Sequence, residues 1–164
     1  MRFVDVRNLL GKTFCDYLLT ADEKIRQKYL SLEVSQEYQP FKEEKIQYYE
    51  TFIRQYKHLI PAKDLQTVVK LGQILNKEKQ YFEAHEVIEK YWLNYQGKYK
   101  KYLQALIQVA IANMHLESGN LKGYQRMKEL ALKNLEPFQG NLFGVDIEQL
   151  KDLLKKEEET FLSF

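Results

Sequence analysis

Leu103-Gln104-Ala105-Leu106-Ile107-Gln108-Val109-Ala110-Ile111-Ala112-Asn113-Met114-His115-Leu116 is the stretch that decides the fold. Wound as a helix at about 100° per residue, it is apolar on almost every side, and such a cylinder is stable only when other helices surround it. It falls short of the ~18 consecutive apolar residues of a membrane span. The stretch therefore reads as the central helix of a bundle. Its polar exceptions are informative, because Gln104, Gln108 and His115 fall within roughly 40° of one another, a narrow stripe on an otherwise greasy surface. Buried polar groups need partners, so the stripe predicts polar side chains on a facing helix.

The rest of the 164-residue chain is helix-forming as well. It has only 3 Pro and 7 Gly, and Leu, Lys, Glu and Gln outweigh Val and Ile, so the predicted fold class is all-α. Hydrophobic residues at 45% against a net charge of +2 give enough material for a core and no field that by itself recruits nucleic acid or an anionic membrane. The single cysteine, Cys15, excludes an internal disulfide framework and a paired-cysteine metal site, which leaves a reducing compartment as the default. Asp5 and Arg7 interrupt the amino-terminal apolar residues before a signal-like run forms. The expectation is a cytoplasmic protein with no membrane partner.

Pro61, after Leu59 and Ile60, suits the first turn of a helix and marks the best boundary: residues 1–60 as an amino-terminal helical extension packed on the core, and 61–164 as the core bundle. Within the core, helices are predicted near 62–75, 79–95, 99–118, 121–135 and 147–161. Gly119 suits a left-handed helix end, Glu136-Pro137 ends the next helix, and Asp146 with Gln149 caps the last. Short connections make neighbours antiparallel, hence an up-and-down bundle of helical hairpins. Lys155 to Glu159 reads as the solvated face of the final helix. In the extension, Leu9, Leu10, Phe14, Tyr17 and Leu18 recur at helical spacing. Thr20 and Glu23 form a capping box there, and Pro40 opens a helix carrying Tyr49, Phe52, Ile53 and Tyr56. Lys57 and His58 close its last turn, and His58 reads as a solvent-facing cap. These aromatics are too many to leave in water, so the extension is expected to be ordered.

The helix before the central one supplies candidate chemistry. In Tyr81-Phe82-Glu83-Ala84-His85-Glu86-Val87-Ile88-Glu89-Lys90-Tyr91-Trp92, His85 and Glu89 project side by side from the flank of an apolar arc, with Glu86 further towards water. An imidazole and a carboxylate four residues apart can bind one divalent metal ion or form an acid/base pair, and His115 can add a third ligand. Around this metal trio of His85, Glu89 and His115, a ligand pocket would be lined by Gln104 and Gln108. The competing reading is a satisfied polar network that fixes helix register. The pattern lacks the second histidine of the zinc-protease motif and is not the Glu-x-x-His pairing of di-iron bundles; no nucleophile elbow or phosphate loop occurs.

A second constellation runs from Lys90 to Leu116, where there is no acidic residue and Lys90, Lys98, Lys100 and Lys101 interleave with Tyr91, Trp92, Tyr95, Tyr99 and Tyr102. Basic and aromatic residues together can bind single-stranded nucleic acid, but here they span a helix end, the Gly97 turn and a helix start, where tyrosines cap a core. The same segment is the natural anchor of a different function, a non-enzymatic interaction module with a protein partner or a second copy of the chain. An echo between Gln80-Tyr81-Phe82-Glu83-Ala84 and Asn120-Leu121-Lys122-Gly123-Tyr124 brings tetratricopeptide hairpins into consideration, although the spacing exceeds that family's period and its Trp/Leu/Gly pattern is absent.

Taken in order, Tyr81 to Glu89 with Trp92, Leu106-Ile107-Gln108-Val109-Ala110 with His115, Gly119-Asn120 and Gly144-Val145-Asp146 resemble family 309 of the domains of unknown function, which is bacterial and archaeal and all-helical. The resemblance spans roughly residues 70 to 155 and implies the helical fold and an intracellular setting; the family carries no activity to hand over. Its characteristic polar positions correspond to His85, Glu86, Glu89, Gln108, His115 and Asn120, so the resemblance adds Glu86 and Asn120 to the lining of the ligand pocket. Two departures occur: Ala105 stands where the family has Gly before the Leu-Ile-Gln run, and Tyr124 where it has Ala after the second Gly.

Overall fold

The computed structural model describes residues 1–164, which form two compact units, Met1–Lys63 and Asp64–Phe164. No helix is long and apolar enough to cross a membrane.

In the first unit, α1 (Phe3–Thr20) buries Val6, Leu10, Phe14 and Leu18, spaced by four residues so that they line one face. It packs against α2 (Glu23–Leu30) and α3 (Gln39–Gln55). Phe14 stacks on Tyr49 with centroids 4.0 Å apart and meets Tyr29 and Phe52 edge-on. Beside that cluster Glu50 receives the Arg26 guanidinium and, at 2.7 Å, the Tyr29 hydroxyl. Burial pushes the Glu50 carboxyl up, but the Arg26 and Tyr29 donors outweigh it and hold it below the usual carboxylate range. Tyr49 and Phe52 are buried as their spacing requires, whereas Tyr17 and Tyr56 are half-buried and His58 is exposed. Two local expectations are corrected. Thr20 closes α1, its hydroxyl donating to the Asp16 carbonyl, and Asp22 caps α2 by accepting from the Lys24 amide at 2.9 Å. Pro61 is not helical; the next helix starts after Asp64, which accepts from the Thr67 amide at 2.8 Å.

The second unit is a meander of α4 (Leu65–Lys77), α5 (Tyr81–Asn94), α6 (Lys100–Glu117), α7 (Leu121–Leu135) and α8 (Ile147–Lys155), each packed on the one before it. This is the all-α, up-and-down bundle of the sequence reading. The central position of α6 follows from its composition: Leu103, Ala105, Leu106, Val109, Ala110 and Ala112 are all at 0% exposure. The sequence echo also has a structural counterpart. Lys79 and Gly119, at φ of 64° and 79°, end α4 and α6 in the left-handed region. Just past them the amides of Gln80 and Asn120 reach back to the carbonyls of Leu75 and His115 at 2.8 Å. The α4–α5 and α6–α7 hairpins are thus turned by the same device.

Two features depart from expectation. A short antiparallel hairpin, β1 (Asn141–Leu142) with β2 (Val145–Asp146), links α7 to α8. Tyr102 holds it by donating to the Leu142 carbonyl at 2.9 Å. Further, α8 stops at Lys155 and not near residue 161: Lys156 turns to ψ 139°, and residues 156–164 run without regular secondary structure. Backbone groups of this strap are bound by side chains of the bundle, an alternative with which helical continuation does not compete successfully.

Candidate functional site

Residues 81–94 coil into α5 because the apolar arc of Tyr81, Ala84 and Ile88 buries against its neighbours at 5%, 0% and 0% exposure. That burial fixes the adjoining flank, where His85 and Glu86 sit at 8% and 7% exposure. Nδ1 of His85 lies 2.5 Å from the Phe82 carbonyl oxygen, an acceptor, so the ring donates its Nδ1–H there. Nε2 consequently faces outward. It stands 3.4 Å from a carboxylate oxygen of Glu86 and 3.4 Å from one of Glu89. The three donor atoms all lie within 4.8 Å of one another. Lys90 sits 3.7 Å from the other Glu86 oxygen and fixes that carboxylate in place. The Glu89 side chain is 41% exposed, so the group opens to solvent on that side.

Glu86 is the main correction within the site. Expected towards water, it is buried and joins His85 directly, one oxygen beside His85 and the other beside Lys90. His115 is not in this group. Its ring nitrogen Nδ1 accepts from the Asn120 side-chain amide at 3.2 Å. The ring also lies flat over Gly123, where an added Cβ would stand 2.7 Å from Cγ and from Nδ1. Gln108 is buried and accepts from the Asn134 side chain at 2.9 Å, while Gln104 is half-buried. Asn120 is exposed and caps α7, accepting from the Gly123 amide at 3.0 Å. Of the predicted residues, therefore, His85, Glu86 and Glu89 come together. Gln108, His115 and Asn120 instead join α6 to α7.

The aromatic and basic segment is only partly buried: Tyr91, Trp92, Tyr95 and Tyr99 are half-buried, and Lys98 and Lys101 are exposed. Tyr102 is fully buried, and Tyr99 meets the rings of Phe138 and Phe143 at 6.1 and 5.0 Å. Tyr91 stacks on Tyr95 at 5.8 Å, and the Lys100 ammonium lies 4.0 Å above the half-buried Trp92 ring while donating to the Trp92 carbonyl.

A polar cluster that the sequence reading did not single out joins α4, α6 and residues 156–164. Asn113, at 0% exposure, donates to the Asn76 side chain at 2.9 Å and to the Leu162 carbonyl at 2.8 Å, and accepts from the Leu162 amide at 2.7 Å. An amide inside the greasiest helix of the chain was its visible sign.

With this geometry in place, the comparisons with known proteins narrow to one family. Residues 69–127 match the family described as a domain of unknown function, DUF309, in agreement with the resemblance read from the sequence over that stretch. No curated protein and no solved structure matches the chain.

Proposed function

We propose that the second unit binds a divalent cation, zinc foremost, through Nε2 of His85 and carboxylate oxygens of Glu86 and Glu89. The observation that carries this reading is the pair of 3.4 Å separations around Nε2. Three electron-rich atoms gathered on a mostly buried flank attract a cation, and the Lys90 ammonium, 3.7 Å from Glu86, supplies part of that charge from one side. The two spacings around Nε2 suit a metal, since two donors about 2.1 Å from one ion at the tetrahedral angle stand about 3.4 Å apart, and the two carboxylates, in a group held within 4.8 Å, would close around it. The Phe82 carbonyl supports it as well: a ligating histidine commonly gives its other ring N–H to such an acceptor, which fixes the tautomer and raises the basicity of the ligating nitrogen. Three protein ligands leave the fourth position to water or to an oxygen of a ligand, the arrangement in which zinc acts as a Lewis acid.

Isothermal titration calorimetry of the metal-stripped full chain with zinc and with manganese tests the reading. One ion per chain is expected, with the affinity falling as the pH drops, because a metal competes with protons for its ligands. Glu89→Gln is expected to abolish binding while leaving the helical circular dichroism unchanged. An unmodified chain that takes up neither ion at pH 7.5, in a titration range reaching about 1 mM, would refute it.

A further inference from the structure

The strap after α8 is held in an unusual way. Its backbone is gripped at every second residue, 158, 160, 162 and 164, the period of an extended strand, yet every partner is a side chain of the helical bundle and none is another strand. Lys128 donates to the Lys156 carbonyl at 2.6 Å and stands 3.5 Å from that of Glu158. The Tyr124 hydroxyl donates to the Thr160 carbonyl at 2.6 Å and accepts from the Thr160 amide at 3.2 Å. Asn113 holds both the amide and the carbonyl of Leu162, and Asn76 donates to that same carbonyl at 2.9 Å. Gln73 donates to the Phe164 carbonyl at 2.6 Å. Two side chains add to this: Leu162 is buried at 2% exposure, and its neighbour Phe161, at 50%, stacks on Tyr81 with centroids 5.4 Å apart.

Three of the gripping residues are themselves deep in the bundle, with Asn76, Asn113 and Lys128 at 5%, 0% and 2% exposure. Buried polar side chains need partners, and these find them in backbone groups of an extended segment, which is what a peptide of varied sequence needs from a receptor. We propose that the surface formed by α4, α6, α7 and the start of α5 is a peptide-recognition groove, that residues 158–164 are its ligand bound in cis, and that the same segment of a second copy of the chain can take that place in trans. Backbone contacts supply sequence-tolerant affinity. Selectivity comes from an apolar residue in the Leu162 position, preceded by an aromatic one that stacks on Tyr81. This inference stands apart from the metal reading, since none of its residues is a proposed metal ligand.

The test uses the full chain carrying Leu162→Asp, which places a charge in the buried position and dislodges the resident segment. A fluorescent peptide of the sequence 157–164 is titrated into this variant and into the unmodified chain, with anisotropy as the readout. The variant is expected to bind it at least tenfold more tightly than the unmodified chain, whose own segment competes, and a peptide with Asp at the Leu162 position is expected not to bind. Hydrogen exchange on the unmodified chain gives an independent measurement should the variant fail to fold. The amides of Thr160 and Leu162 are expected to exchange faster than those of α6, through release of the strap alone. A folded Leu162→Asp chain that does not bind the peptide, or strap amides that exchange only as slowly as those of α6, would overturn the proposal and leave the strap a fixed part of the core.

Discussion

Replacing Asn113 by Ala removes three hydrogen bonds from a site with no access to water. The Leu162 carbonyl keeps its bond from Asn76, so two groups are left without partners: the Leu162 amide and the Asn76 side-chain oxygen. Each buried orphan costs about 1–3 kcal/mol, which puts the loss at about 4 kcal/mol if the strap stays seated. Release of the strap would hydrate both groups and cap the loss at the stabilisation that the strap supplies. Asn76→Ala should cost about half as much, because both backbone groups of Leu162 retain a bond to Asn113 and only one N–H of the Asn113 amide is orphaned. Urea unfolding followed by the fluorescence of Trp92, the single tryptophan, reports on the second unit alone. With a slope of about 1–1.5 kcal/mol per molar urea for a unit of this size, the midpoint for Asn113→Ala should fall by about 3 M. A loss below about 1 kcal/mol, or one no larger than that of Asn76→Ala, would show that the buried amide does not hold the strap.

Three further outcomes are expected. Ala at Gly123 normally gains about 1 kcal/mol of helix propensity, but its Cβ would stand 2.7 Å from the His115 ring, so a net loss of about 1 kcal/mol is expected. In a His115→Ala background the same change should become stabilising, and thermal unfolding reads the change of sign. Burial pushes the hydroxyls of Tyr29 and Tyr102 above the ordinary value near 10. Both groups bind their protons more tightly when folded, so their contribution is complete below pH 10 and is lost as the pH rises beyond it; denaturant titrations at pH 9 and 11 should show the higher pH weaker. Lys90→Met removes the cation beside the buried Glu86 carboxylate while keeping an unbranched apolar stem. It should change zinc affinity by about tenfold or more without altering the one-to-one stoichiometry, and calorimetry would expose an unaffected site.

Much of this architecture was legible in the residues themselves. An all-round apolar Leu103–Leu116 has to be central because water exclusion is the only environment that stabilises it, and the left-handed Gly119 and the Asp146 cap are set by local backbone chemistry. The closeness of His85 to Glu89 follows from helix pitch alone. Decisions that depended on which way a side chain turns within a crowded flank were not available from periodicity. Glu86 bends inward because His85 and Lys90 offer it partners, and His115 leaves the expected site because the nearby Asn120 side chain and the bare backbone of Gly123 receive its ring. The departure at Tyr124 shows the same thing, since its hydroxyl, 36 residues away in sequence, binds Thr160 and helps draw residues 156–164 out of the helix that their composition favours. Sequence settled what short-range geometry and the burial of apolar surface can settle. The strap and the ligand set rest on hydrogen bonds between distant residues, and only the folded chain brings those partners within reach.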